Sequence, residues 1–224
     1  LEIEKINNNE PITFFEILTA TFIYKAAQYP DNINLIEAGL FHRFDATNIL
    51  KNNLASIITS ISIDHLDWLP TNQRTIDKII YEKTSNLLDS NLVIAKQHPI
   101  STLKKIKKTI DTNQSNKYYF NEDFSFSNED NNFFYYEDKF GGLMLPEPNV
   151  LGQYQKENIS SAIATLRILD LDIKDHHIKE GIQKIENIAR LQEIKSGKLK
   201  NLVKDNLFLI SGDQNEDGAR VLNE

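Results

Sequence analysis

Residues 54–61, LASIITSI, decide the fold. The run is almost continuously apolar or β-branched, the texture of a strand covered on both faces rather than one with a wet side. A mainly parallel sheet flanked by helices, an α/β fold, is the architecture that covers strands in this way. Upstream, Thr13 and Glu16 make a capping-box pair ahead of Phe14, Phe15, Leu18, Phe22 and Ala26 at helical spacing, which predicts a buried helix of about four turns. Ile33 to Ile36 reads as a further short buried strand. Downstream, a helix from about Thr75 to Leu88, a strand from Leu92 to Ala95 and a basic amphipathic helix in STLKKIKKTID (101–111) complete a βαβ alternation.

Between residues 117 and 145 the texture changes to short aromatic runs, KYYF and NNFFYYEDKFGGLML, separated by acidic and Asn-rich turns; these predict a small region of antiparallel ribbons. The Pro-rich LPEPNVLG is a connector, and NISSAIATLRIL and HIKEGIQKIEN follow as two helices. From about Ile188 strands restart near 191–194 and 207–210, so the expected division is 1–187 for one domain and 188–224 for the start of another.

With 224 residues, 40% hydrophobic and 25% charged, the chain can bury one full core. A formal net charge of −7 gives no general footprint for nucleic acid or an anionic membrane surface, and neither is expected as a partner. The absence of cysteine excludes a disulfide framework and thiolate metal clusters. No apolar run approaches the roughly 20 residues of a membrane-spanning helix, and a cytoplasmic location is expected.

Candidate chemistry gathers at strand ends. The strand 54–61 leads into SIDHLDWL, placing Asp64, His65 and Asp67 at a carboxyl edge, where open α/β sheets bind ligands. Ile33 to Ile36 ends in Glu37, so the two sets could converge on a metal, although a histidine such as His65, taken alone, is more often a loop hydrogen-bonder than a ligand. Lys83 lies four residues from Ile79 and seven from Ile76, on the apolar face of its helix. Its stem packs there while the ammonium reaches water, or it is a lysine of depressed pKa that pairs with Glu82 or a ligand, or is modified. Lys104, Lys105, Lys107 and Lys108 read as a solvated face.

The segments FFEILTATFIYKAAQ (14–28), IEAGLFHRFDATNIL (36–50), ASIITSISIDHLDWLP (55–70), IDKIIYEKTSN (76–86), LGQYQKENISSAIATL (151–166), ARLQEI (189–194) and ISGDQNEDGARVL (210–222) together resemble folylpolyglutamate synthase of the bifunctional dihydrofolate synthase type, within the Mur ligase superfamily. The resemblance implies a partial central ATPase-like domain followed by the start of a Rossmann-like C-terminal domain. It implies a monomeric ligase that transfers the γ-phosphoryl group of ATP to a folate or dihydropteroate carboxylate, giving an acyl phosphate that the amine of L-glutamate attacks. Glu37 and His65 would then be Mg²⁺ ligands. Lys83, as a carbamate, would be an oxygen donor to a second Mg²⁺, and burial favours the neutral amine that carbamylation requires. Arg43, Asp45 and Asn48 would lie near the pterin and the catalytic centre, Gln155 and Asn158 near the nucleotide, Arg190 at the phosphates, and Asn215 and Asp217 in a nucleotide-facing motif.

The chain departs from the family pattern. Phe41 and His42 stand where the family has two glycines, Thr84 and Ser85 where it has Ala-Gly, Tyr154 in place of His, Ile188 and Ala189 in place of Pro-Gly, and Ser211 and Gln214 in place of Asp and His. Bulky residues at glycine positions predict strained backbone. No G-x-x-x-x-G-K-[ST] loop occurs among the eight glycines, and in the family that loop would lie upstream of Leu1. The chain is therefore expected to be an internal piece of such an enzyme, inactive by itself. The alternatives are a catalytically dead remnant or scaffold, and a Mur ligase acting on cell-wall precursors.

Overall fold

The computed structural model describes residues 2–130, 132–213 and 215–223. Its centre is a three-stranded parallel sheet in the order β1 (Ala55–Ile58), β2 (Asn91–Ile94), β3 (Asn116–Tyr119), with Ile58 opposite Ile94 and Ile94 opposite Tyr119. The connections run through α3 (Ile76–Thr84) and α4 (Ile100–Thr109), which follow α1 (Glu2–Ile6) and α2 (Phe14–Ala26) in the chain. Both crossover helices pack on one face of the sheet and on each other, as two successive connections of the same hand require.

The pleat of β2 divides the interior. Leu92 and Ile94 point into a cluster with Ile58, Ile79, Ile80 and Ile106, while Val93 points into a second cluster on the opposite face. That second core contains Phe134, Tyr136 and Leu145 from a separate antiparallel sheet of β4 (Phe124–Asn128), β5 (Phe133–Asp138) and β6 (Gly141–Pro146). Between the sheets lies α5 (Gln153–Ile168), whose Ile159, Ile163 and Ala164 are buried, and α6 (Asp175–Gln183) adds Ile178 and Ile182. A small pair, β7 (Gln192–Glu193) and β8 (Leu209–Ile210), is antiparallel and flanked by α7 (Lys198–Val203) and α8 (Glu216–Leu222).

Four expectations need correction. KYYF forms β3 of the parallel sheet, not a ribbon; the α4 crossover delivers it beside β2, and the ribbons begin only at Phe124. Ile33 to Ile36 forms no strand: the backbone there joins no ladder among the described residues, and Leu35 is 91% exposed. A strand exists only through pairing, and apolar composition cannot supply a partner. The helix at 14–26 forms with its full capping box, Thr13 accepting from the Glu16 N–H and Glu16 accepting from the Thr13 N–H, but it is not buried. Phe14, Leu18 and Phe22 are exposed and only Thr19 is covered. The helix begun at Thr75 stops at Thr84 rather than Leu88, and α1 and α7, too short to show periodicity, were not anticipated.

Phe134 is fully buried between the sheets, so Phe134→Ala is expected to cost about 3–5 kcal/mol in urea unfolding. Leu35→Ala, at an open position, is expected to change stability by less than about 0.5 kcal/mol.

Candidate functional site

The carboxyl ends of β1 and β2 are drawn together by one side chain. Gln97, 5% exposed, accepts from the Ile61 N–H at 3.0 Å and donates through Nε2 to the carbonyls of Thr59 and Ala95, both at 3.0 Å. This clamp fixes the path of residues 59–61 into the loop carrying Asp64 and His65. His65 adopts φ 55°, and its own N–H donates to Asp64 Oδ1 at 2.7 Å. The ring of Phe41 meets the imidazole edge-on at 6.1 Å.

Lys83 reaches the same edge. It follows the fully buried Ile79 and Ile80 on α3, is half-buried, and makes no hydrogen bond or ion pair among the described residues. Burial pushes its ammonium below the usual lysine value, and the charge of Asp64 acts in the opposite sense. Burial also pushes Asp64 up, but the Asn215 amide, the His65 N–H and the charges of His65 and Lys83 outweigh it and hold its carboxyl below the ordinary range. The expected pairing of Lys83 with Glu82 is not made. Adjacent helical residues diverge by about 100°, and Glu82 turns instead to Arg43 at 2.8 Å and to Lys78 at 2.7 Å.

The 211–217 motif closes over this edge. Asn215 Nδ2 donates to Asp64 Oδ2 at 2.9 Å, and Ser60 Oγ donates to Asp217 Oδ2 at 3.2 Å. Beside it the start of α5 meets the 188–191 turn: Arg190 Nη1 lies 3.7 Å from Asp213 Oδ1, and burial, then Asp213, raise the Tyr154 phenol. Gln155 is 4% exposed; its amide lies against the Tyr154 phenol and acts to lower that phenol's pKa, but its Nε2 makes no hydrogen bond of normal geometry among the described residues, so a bound ligand could satisfy it. Asn158 is exposed on the same helix. Gln214 lies outside the described residues.

Of the positions where the family pattern has glycine, two take up left-handed backbone, while Ser85 keeps ordinary right-handed backbone at φ −72°. Phe41 has φ 55° and Ala189 φ 57°, both in the left-handed region. Ala189 is held there by its N–H donating to Gln192 Oε1 at 3.1 Å and its carbonyl accepting from the Gly212 N–H at 2.7 Å.

No hydrogen bond or ion pair joins Glu37 to His65 among the described residues. Glu37 is exposed and lines a groove along α2 with Phe15, Leu18, Phe22 and Thr47. Among the described residues no group of three or more His, Asp or Glu could hold a metal ion. Because 33–36 is not a strand, Glu37 has no sheet edge to share with His65. Asp45 is committed locally: Oδ2 accepts from the Gly39 and Leu40 N–H groups, each at 2.9 Å, and Oδ1 from the Thr47 N–H and hydroxyl at 3.0 and 2.6 Å. Sequence reasoning passed over Gln97, Ser60 and Asp64's tie to Asn215, since nothing in their spacing announces a contact 36 to 157 residues away.

Burial acts to raise the Asp45 carboxyl, but these four donors outweigh it and leave its pKa below the usual value. A depressed carboxylate contributes stability above the unfolded pKa of about 3.9 and loses it as pH falls through the folded value. Asp45→Asn is therefore expected to cost about 1.5–3 kcal/mol at pH 7, and the gap between variant and parent should close in denaturation series taken below about pH 4. Ala189→Gly should raise stability by about 1 kcal/mol, read from the same unfolding curves.

No family model matches the chain. The dihydrofolate synthase/folylpolyglutamate synthase of Haemophilus influenzae is 27% identical over 197 residues, covering 88% of this chain and 43% of that protein. A crystal structure of the bifunctional folylpolyglutamate synthase/dihydrofolate synthase of Yersinia pestis, complexed with AMPPNP and Mn ion, superposes with a TM-score of 0.81 at 25% identity, over 99% of this chain and 50% of that one. The FolC protein of Escherichia coli in complex with DHPP and ADP gives 0.79 at 26%, over 99% and 49%. The chain thus spans about half the length of the proteins it matches. In sequence and in fold, the chain is similar to the dihydrofolate synthase/folylpolyglutamate synthases.

Proposed function

We propose that this chain supplies part of an ATP-dependent ligase that adds L-glutamate to a folate or dihydropteroate carboxylate through an acyl phosphate. The observation that carries the reading is the convergence at the carboxyl edge of β1 of Lys83, Asp64 and His65 with Asn215 and Asp217 from the 211–217 motif. Residues more than 150 positions apart in the chain meet there, around a lysine that makes no hydrogen bond or ion pair among the described residues.

In this reading residues 1–187 are part of the central domain and 188–224 begin the C-terminal ligase domain. Gln155 and Asn158 face the nucleotide from α5, and Arg190, Asn215 and Asp217 face it from the other side of the division. The unmet Nε2 of Gln155 fits an acceptor on a bound nucleotide. Arg43 provides positive charge for the transferring phosphoryl group and the substrate carboxylate, in chemistry governed mainly by positioning and charge neutralisation. Asp45 holds the turn that carries Arg43. Mg²⁺, at two sites, is the expected companion of ATP, with Glu37, His65 and carbamylated Lys83 as donors. Among the described residues no group of three or more His, Asp or Glu could hold the ion, and Lys83 could serve only as the carbamate, since an ammonium has no lone pair to donate. A monomer in the cytoplasm completes the reading; among the described residues no helix is long and apolar enough to cross a membrane.

The test is incorporation of labelled glutamate into dihydropteroate or tetrahydrofolate by the intact gene product carrying this sequence, with Mg-ATP. Lys83→Ala is expected to lower turnover on the order of 10²-fold or more while the unfolding midpoint moves little. Equal losses of turnover and stability would make Lys83 a structural lysine, and an intact product that consumes no ATP with any folate acceptor would favour the remnant reading.

A further inference from the structure

We propose that Glu82 is a positioning residue for the ligation, acting by fixing the guanidinium of Arg43 toward an anionic substrate group; the inference rests on the ligase reading above. Its carboxylate side chain is only 8% exposed and accepts from Arg43 Nε and Nη2, each at 2.8 Å, and from Lys78 Nζ at 2.7 Å. Its backbone carbonyl, one of the last four of α3 and so without a partner inside the helix, accepts from the His42 and Arg43 N–H groups at 3.2 and 2.9 Å. Both ends of Glu82 thus fasten the 41–45 turn to α3, one residue before Lys83.

Two features of the arrangement go beyond holding a turn. A buried ion pair is an expensive way to anchor a loop, because well-packed apolar residues of similar volume often do as well. What the carboxylate adds is orientation: two parallel hydrogen bonds to a planar fork fix the angle of the guanidinium as well as its place. The second feature is the charge count. Two cations share one carboxylate, and Lys83 next to them makes no ion pair among the described residues. Arg43 can therefore turn part of its fork to a carboxylate or phosphoryl oxygen of the substrate while Lys78 keeps Glu82 neutralised. The open side of the guanidinium is walled by Phe44, whose ring centroid lies 3.9 Å away, and Arg43 keeps more exposure than the glutamate it holds.

The experiment is a double-mutant cycle in the intact gene product, with steady-state glutamate ligation as the readout. Glu82→Gln is expected to lower kcat by about tenfold or more, the scale on which small misplacement of a reacting group acts, while KM for ATP stays within about twofold. In an Arg43→Gln background the further change Glu82→Gln should leave kcat unaltered, since the residue it orients is gone. Glu82→Asp keeps the buried charge paired, draws the fork back by one methylene and should give an intermediate loss in a fully folded protein; it takes the place of Glu82→Gln if that variant does not fold. Equal factors in the two backgrounds, or an unchanged kcat for both Glu82 variants in a parent that Lys83→Ala inactivates, overturn the inference and leave the ligase reading intact. A parent without ligase activity overturns both.

Discussion

Strand β2 is the member on which the rest of the molecule depends. It is hydrogen-bonded on both sides, to β1 and to β3, and its alternating side chains enter two different cores. Leu92 and Ile94 hold α3 and α4 on one face, and Val93 meets the cluster containing α5 and the antiparallel sheet on the other. With every side chain of Leu92, Val93 and Ile94 fully buried, a shift of register by one residue would exchange the two cores. Such a strand can therefore take one position only, and its carboxyl end becomes a rigid place to build chemistry.

What is built there is a cluster of paired charges. Lys83 lies in the last turn of α3, where the helix dipole favours cations, and Arg43 and Lys78 meet at Glu82 one residue before it, although the chain carries a net charge of −7. Only one buried carboxylate, Glu82, neutralises Arg43 and Lys78, and Asp64 attenuates the charge of Lys83. The 211–217 motif then contributes groups of its own, Asn215 and Asp217, to the same edge.

The glycine departures have a physical consequence. Phe41 and Ala189 occupy left-handed backbone that glycine enters without cost. Each is held by contacts that do not depend on its side chain: the 41–45 turn through the Glu82 carbonyl, and Ala189 through Gln192 and Gly212. The surrounding structure imposes the conformation and tolerates the wrong residue, the usual way in which local strain persists at a site.

The sequence by itself determined the parallel sheet, the capped helix at 14–26, the helical face that carries Lys83, and the antiparallel region, because each rests on interactions between residues close in the chain or on a periodicity visible within it. Ordered motifs carried the family likeness further than any single spacing did. Tertiary structure alone decided that KYYF joins the parallel sheet, that 33–36 pairs with nothing described, and that the apolar face of α2 stays open, since composition shows what a segment could bury and not what is there to bury it. It also decided the partners within the site. Whether Glu82 meets Lys83 or Arg43, and whether Asp64 meets a metal ligand or Asn215, depends on contacts spanning 39 and 151 residues, and electrostatic pairing at that range is set by where the core places each backbone.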